Sequence, residues 1–156
     1  MELLHLVLRE YFQRVLPPSS NLALHEMMVR FGGRSKHTYW MPKKPITEGY
    51  SILALCWTGY TWNLLYSSCI SGIQVLEQAP YHGSIHLTPT LIEIHQTVQS
   101  LPPYPTHQFN IFIDNYFTNI NLFQVLRQLG IDTCGTAQQN QNAFPPDLHN
   151  SFPGLS

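Results

Sequence analysis

Apolar positions Leu3, Leu4, Val7, Leu8, Tyr11, Phe12, Val15 and Leu16 recur every three or four residues, the period that gathers side chains onto one side of a helix. Pro17-Pro18 ends that helix, because proline offers no amide proton and its ring collides with the preceding turn. The next apolar segment, Leu22-Ala23-Leu24-His25-Glu26-Met27-Met28-Val29, fits strand or helix by pattern alone. Its short length and the Gly32-Gly33 breaker favour a strand. Residues 50–57 and 60–67 are rich in aromatic and aliphatic side chains and are separated by Thr58-Gly59, the spacing of a tight antiparallel hairpin.

Residues 72–83 are irregular, although Ile73, Val75 and Leu76 offer the makings of a short element. Thr88-Pro89 predicts a helix start, with a hydroxyl at the cap and proline in the first turn. Leu91, Ile92, Ile94, His95, Val98 and Leu101 form its apolar side, and Pro102-Pro103-Tyr104-Pro105 stops it. The run Phe109-Asn110-Ile111-Phe112-Ile113 has the aromatic and β-branched make-up of a buried strand and finishes on Asp114. A second helix is predicted from about residue 119 to 129, with Ile120, Leu122, Phe123, Val125, Leu126 and Leu129 inward and Gly130 as its stop. Residues 131–136 read as the next strand. From Gln138 onward the chain is rich in Gln, Asn and Pro, which predicts a poorly ordered tail. The pattern as a whole predicts an α/β (α+β) class fold, a mixed sheet with flanking helices. An acid at the C-terminal end of a buried central strand stands where open α/β sheets place their chemistry.

Composition changes the picture in one respect. Only 11% of the 156 residues are charged, against roughly 25% in ordinary soluble domains. Faces that poor in charge suit burial under a partner or further chain. The acid near the N-terminus (Glu2) and the lack of a small-residue cleavage site argue against a secretion leader. No apolar stretch approaches the roughly 20 residues of a membrane span, so no membrane partner is expected and the protein should be soluble and intracellular. Cys56, Cys69 and Cys134 form no Cys-x-x-Cys pair and are expected to be buried free thiols.

The net charge of −1 conceals an uneven layout. Arg30, Arg34, Lys36, Lys43 and Lys44 fall together with no acid between them, whereas from Gly49 onward Arg127 is the lone cation. Contact with a phosphate backbone would fall to that short basic stretch.

Three segments carry a specific resemblance: Leu24-His25-Glu26-Met27-Met28-Val29-Arg30-Phe31-Gly32-Gly33-Arg34, Tyr39-Trp40-Met41-Pro42-Lys43-Lys44-Pro45, and Ile113-Asp114-Asn115-Tyr116-Phe117-Thr118-Asn119. In order and spacing they resemble the piggyBac transposase family, and Cys134-Gly135-Thr136 is similar to that family's Gly-Thr strand. The resemblance implies a ribonuclease H-like core, a mixed five-stranded sheet that gathers three acids around two magnesium ions for in-line displacement at phosphorus. It also implies a division into an N-terminal helix and linker (1–20), a partial domain of that type (21–137), incomplete at its C-terminus, and a tail (138–156).

Asp114 matches the family's second metal-binding acid, although an Asp there also suits a plain turn cap. The first acid's position is occupied by His25, either a surface histidine or a relic of the catalytic position. Imidazole is a softer, one-nitrogen ligand that cannot bridge two ions as a carboxylate does. Glu26 is no ready substitute, since adjacent strand residues face opposite ways. The third acid lies in a later part of the family's chain, and neither Asp132 nor Asp147 has its context. The expectation is a vestigial site with Asp114 alone as metal ligand, no cofactor held, and no enzymatic turnover.

The resemblance places the basic stretch near the DNA path, which implies weak, sequence-independent DNA affinity through Arg30, Arg34, Lys36, Lys43 and Lys44, in a nuclear setting; a solvated loop is the plainer alternative. Related transposase chains are the other implied partners. Two further readings stay open: a nuclease or strand-transfer subunit completed in trans, and a protein-interaction module. A histidine metal site at His82 and His86 is disfavoured by Gly83 between them.

Overall fold

The computed structural model describes residues 2–67, 83–103 and 106–136. Along the chain run α1 (Glu2–Val15), β1 (Asn21–Arg30), β2 (Tyr39–Trp40), β3 (Glu48–Trp57), β4 (Tyr60–Ser67), α2 (Pro89–Gln99), β5 (Phe109–Ile113), α3 (Ile120–Gln128) and β6 (Ile131–Gly135). The predicted strand at Leu22–Val29 is β1, and the hairpin at Thr58-Gly59 joins β3 to β4. Thr58 and Gly59 both have positive φ, 45° and 81°, the twist that lets a two-residue turn follow the strands.

The six strands form one mixed sheet in the order β2-β3-β1-β5-β6, with β4 also paired to β3. β1 runs antiparallel to β3 and parallel to β5, and β5 runs parallel to β6. Five long strands match the expected mixed sheet. β2 is a sixth that sequence did not suggest, because two residues are too few to carry a period.

Alternation along the strands decides what is buried. Leu22, Leu24, Leu53, Leu55, Ile111 and Ile113 point to the face covered by α2 and α3, where they meet Leu91, Ile94, Val98, Leu122, Val125 and Leu126 in one core. Asn63 crosses this layer, donating from Nδ2 to the carbonyl of Thr97 at 2.9 Å and to Ser100 Oγ at 2.7 Å. α3 starts as predicted, with Asn119 Oδ1 accepting the amide of Asn121 at 2.9 Å. At α2 the cap differs from expectation: Thr88 holds the extended cap conformation, but its side chain makes no capping bond. Proline at the next position removes one of the amides a cap would serve.

Two other expectations are corrected. Cys134 is exposed and Cys56 half-buried, so neither is a fully buried thiol; both fall on strand positions that face away from the helices. α1 forms as its period demands and lies along β4, with Phe12 edge-on to Tyr60 and the Tyr60 hydroxyl donating to the Phe12 carbonyl at 2.8 Å. Yet Val7, Tyr11 and Val15 are exposed. Periodicity reports that a stripe exists, not that something covers it. No helix among the described residues is long and apolar enough to cross a membrane. The predicted tail, Cys69, Asp147, His82 and the element suggested around Ile73 lie outside the described residues.

Candidate functional site

The second face of the sheet is where the chemistry-bearing residues stand. β1 and β5 pair in parallel as far as Leu24 with Ile113, so His25 and Asp114 leave the ladder side by side. Leu24 and Ile113 are buried under the helices, and strand alternation turns His25 to the opposite face, where both it and Asp114 are exposed. Around them on that face lie Ala23, Met27, Val29, Phe112 and Cys134, of which Phe112 is 49% and Val29 45% exposed.

Asp114 is held by backbone geometry. Its carbonyl accepts the amides of Phe117 and Thr118, each at 3.0 Å, and the Thr118 hydroxyl at 3.1 Å. Its carboxylate accepts the amide of Asn115 at 2.6 Å, so the turn-cap role is present alongside the inherited position. Phe117 and Thr118 are buried and anchor the turn from below. Gly135 makes room for it, since a Cβ there would collide with Thr118 Oγ1 and with the Ile113 carbonyl oxygen. The Cys134-Gly135-Thr136 signature and the Asp114 turn are therefore one packed unit.

Glu26 faces the other way. Ser51 Oγ donates to its Oε1 at 2.8 Å, and Lys44 Nζ is ion-paired to its Oε2. This ties the loop that carries Lys43 and Lys44 to β1. Sequence reasoning missed the pair because eighteen residues separate its members; the one available signal was a cation in a tight Pro-rich loop downstream of a half-buried acid.

The five cations do not act as one patch. The Phe31 ring lies against Tyr50 with centroids 4.9 Å apart and planes tilted by 43°, and His37 lies against Tyr66. These contacts fold the loop bearing Arg34 and Lys36 onto the same sheet face as His25. There a shallow depression is lined by Arg34, Ser35, Lys36 and Thr38, with Glu48 contributing an opposing charge. Arg30 and Lys43 are exposed, whereas Lys44 is engaged by Glu26. Two aromatic residues of the family-like segments are exposed: Trp40, 69% exposed beside the basic loop, and Tyr116, 77% exposed after Asp114. Another cavity, lined by Arg9, Val98, Pro102, Pro103 and Ile131, opens at the opposite end of the strands, away from this chemistry. Among the described residues, no three His, Cys, Asp or Glu side chains converge as a metal-binding group.

A solved piggyBac transposase synaptic complex with hairpin DNA is similar over 88% of this chain, with a TM-score of 0.68 and 25% identity. The chain spans 27% of that protein's length. The family profile described as transposase IS4 matches residues 3–154. With a match that runs almost from end to end and a solved piggyBac relative of the same fold, this protein belongs to the transposase IS4 family, in its piggyBac-type branch.

Proposed function

We infer that this chain is a degenerate piggyBac-type transposase domain that turns over no DNA by itself and keeps weak, sequence-independent affinity for duplex. The observation that carries this reading is His25, which occupies the strand position beside Asp114 where the family resemblance calls for a carboxylate. Magnesium takes hard oxygen ligands in near-octahedral order. One imidazole nitrogen next to one exposed carboxylate does not fit two such ions, and no catalytic step follows from that pair. Glu26 offers no remedy: a one-residue slip of β1 that brought it round would turn Leu22 and Leu24 out of the core.

Residual DNA affinity is supported by Arg34 and Lys36 on the face that carries Asp114, with Arg30 and Lys43 exposed nearby. Four phosphate contacts give a log–log salt slope no steeper than about −4. Binding to a labelled duplex should be measurable at about 50 mM salt and lost by about 200 mM, and charge reversal at Arg34 and Lys36 should abolish it. Such a role would place the protein in the nucleus. The competing reading is a strand-transfer or nuclease subunit completed by another transposase chain. Magnesium-dependent nicking of supercoiled plasmid, lost in Asp114→Ala, would establish that reading and end the degenerate one.

A further inference from the structure

The hairpin that carries Trp40 and Lys43 is small. β2 meets β3 through two residue pairs, Tyr39 with Gly49 and Trp40 with Glu48. The loop between the strands closes through the Met41 amide, which donates to the Thr47 carbonyl at 2.8 Å, and the Lys44 amide, which donates to the Met41 carbonyl at 3.0 Å. A two-stranded ribbon of that size is marginal in water unless it is fixed to something larger. Lys44 provides such a tie. In the strand order β2-β3-β1 its ammonium reaches over β3 to the Glu26 carboxylate on β1, and Ser51 of β3 donates to the second carboxylate oxygen at 2.8 Å. Loop, β3 and β1 are thereby joined at one acid. The Glu26 side chain is 19% exposed and that of Lys44 33%, so water and salt screen this pair less than one standing open on the surface.

The arrangement divides the two lysines of the loop. Lys44 is drawn in toward β1, and its neighbour Lys43 is left exposed. Trp40 pairs with Glu48, one of the residues lining the depression that holds Arg34 and Lys36. The hairpin therefore stands beside that depression, with a cation and an aromatic ring in reach of whatever lies over it. A cation on an ordered loop loses less freedom when it meets a phosphate than a cation on a loose one. An acid that orders the loop thus favours a polyanion by geometry while opposing it by charge.

We propose that Glu26 is a positioning residue for nucleic acid: through Lys44 it holds the β2–β3 hairpin, and so keeps Lys43 and Trp40 in place for a phosphate backbone. The proposal rests on the residual DNA affinity inferred above. It reverses the sign that charge alone would give. On charge alone, a neutral residue at position 26 raises the net charge by one and frees the Lys44 ammonium for a phosphate, so duplex binding tightens. With Glu26 as the anchor of the loop, the same replacement weakens binding.

Hydrogen exchange and binding to a labelled duplex at about 50 mM salt, both on the full chain, test this together. Glu26→Gln keeps an oxygen for Ser51 and loses the ion pair. In this variant exchange at the Met41 and Lys44 amides should quicken about tenfold, with the amides of β5 unchanged, and duplex affinity should fall about fivefold. Glu26→Lys combined with Lys44→Glu leaves the net charge as it was and re-forms the pair, the Ser51 hydroxyl turning to accept, so it should restore both signals. Duplex binding by Glu26→Gln as tight as wild type, or tighter, would overturn the proposal and leave the DNA reading standing. So would unchanged exchange at Met41 and Lys44 in that variant. A wild-type protein without duplex affinity at this salt would end the DNA reading and the role of Glu26 with it.

Discussion

Leu24 and His25 are neighbours on one strand, yet they belong to regions built on different terms. The face beneath α2 and α3 is a closed layer in which Leu22, Leu24, Leu55, Ile111, Leu122 and Leu126 have lost essentially all contact with solvent. On the opposite face His25, Asp114, Phe112 and Cys134 are exposed among the described residues, and toward β3 and β4 that face is covered by the Phe31–His37 loop. The closed face carries the core under the helices. The open face carries His25 and Asp114, the two positions on which the proposed function turns. A change such as carboxylate to imidazole at residue 25 can therefore accumulate without unfolding the protein.

The contrast can be tested by substitutions on the two sides. The largest loss belongs to the closed face. Ile111→Ala, or Leu24→Ala, should cost about 2–5 kcal/mol of unfolding free energy in chemical denaturation, because it opens a cavity under two helices. Gly135→Ala comes next, at about 1–3 kcal/mol, since the new methyl must displace Thr118 and the turn beneath Asp114. An equally stable Gly135→Ala protein would mean that the turn and β6 are not packed as one unit.

A smaller effect is expected from His95, which is buried in α2, where desolvation holds its pKa below the usual histidine value. Above about pH 6.5 both folded and unfolded chains carry this group neutral, so it contributes nothing to the pH dependence. As pH falls below that point the unfolded chain takes up the proton first, and stability declines until the lowered folded-state pKa is reached. Denaturation midpoints measured from about pH 7.5 to about pH 5 should fall in the wild type, and this component of the slope should vanish in His95→Leu. The smallest effect belongs to the open face: His25→Ala should shift stability by no more than about 0.5 kcal/mol. A loss of several times that size would mean the open face is structural after all.

How much of this could be read from the chain differs between the two faces as well. The closed face was legible almost residue by residue. Leu91, Ile94 and Val98 repeat at helical spacing, and Ile111 and Ile113 alternate with Asn110 and Phe112, so burial and period carry the same information. The opposition of His25 and Glu26 was legible for the same reason, through strand alternation. Legibility failed where the deciding fact was a relation between distant segments. The Lys44–Glu26 pair depends on a loop folding back onto β1, and the exposure of Val7, Tyr11 and Val15 depends on what lies opposite them. The stop of the β1–β5 ladder at Leu24 depends on β5 being five residues long. The identity of the candidate site came from the three family-like segments, with which no hydrophobic pattern is concerned.

Isothermal titration of magnesium into the isolated protein measures directly what the open face can bind. The expected result is no saturable uptake of two ions, with Asp114→Ala indistinguishable from the wild type. Stoichiometric binding of two magnesium ions that disappears in Asp114→Ala would contradict it, and would mean that His25 has not broken the site.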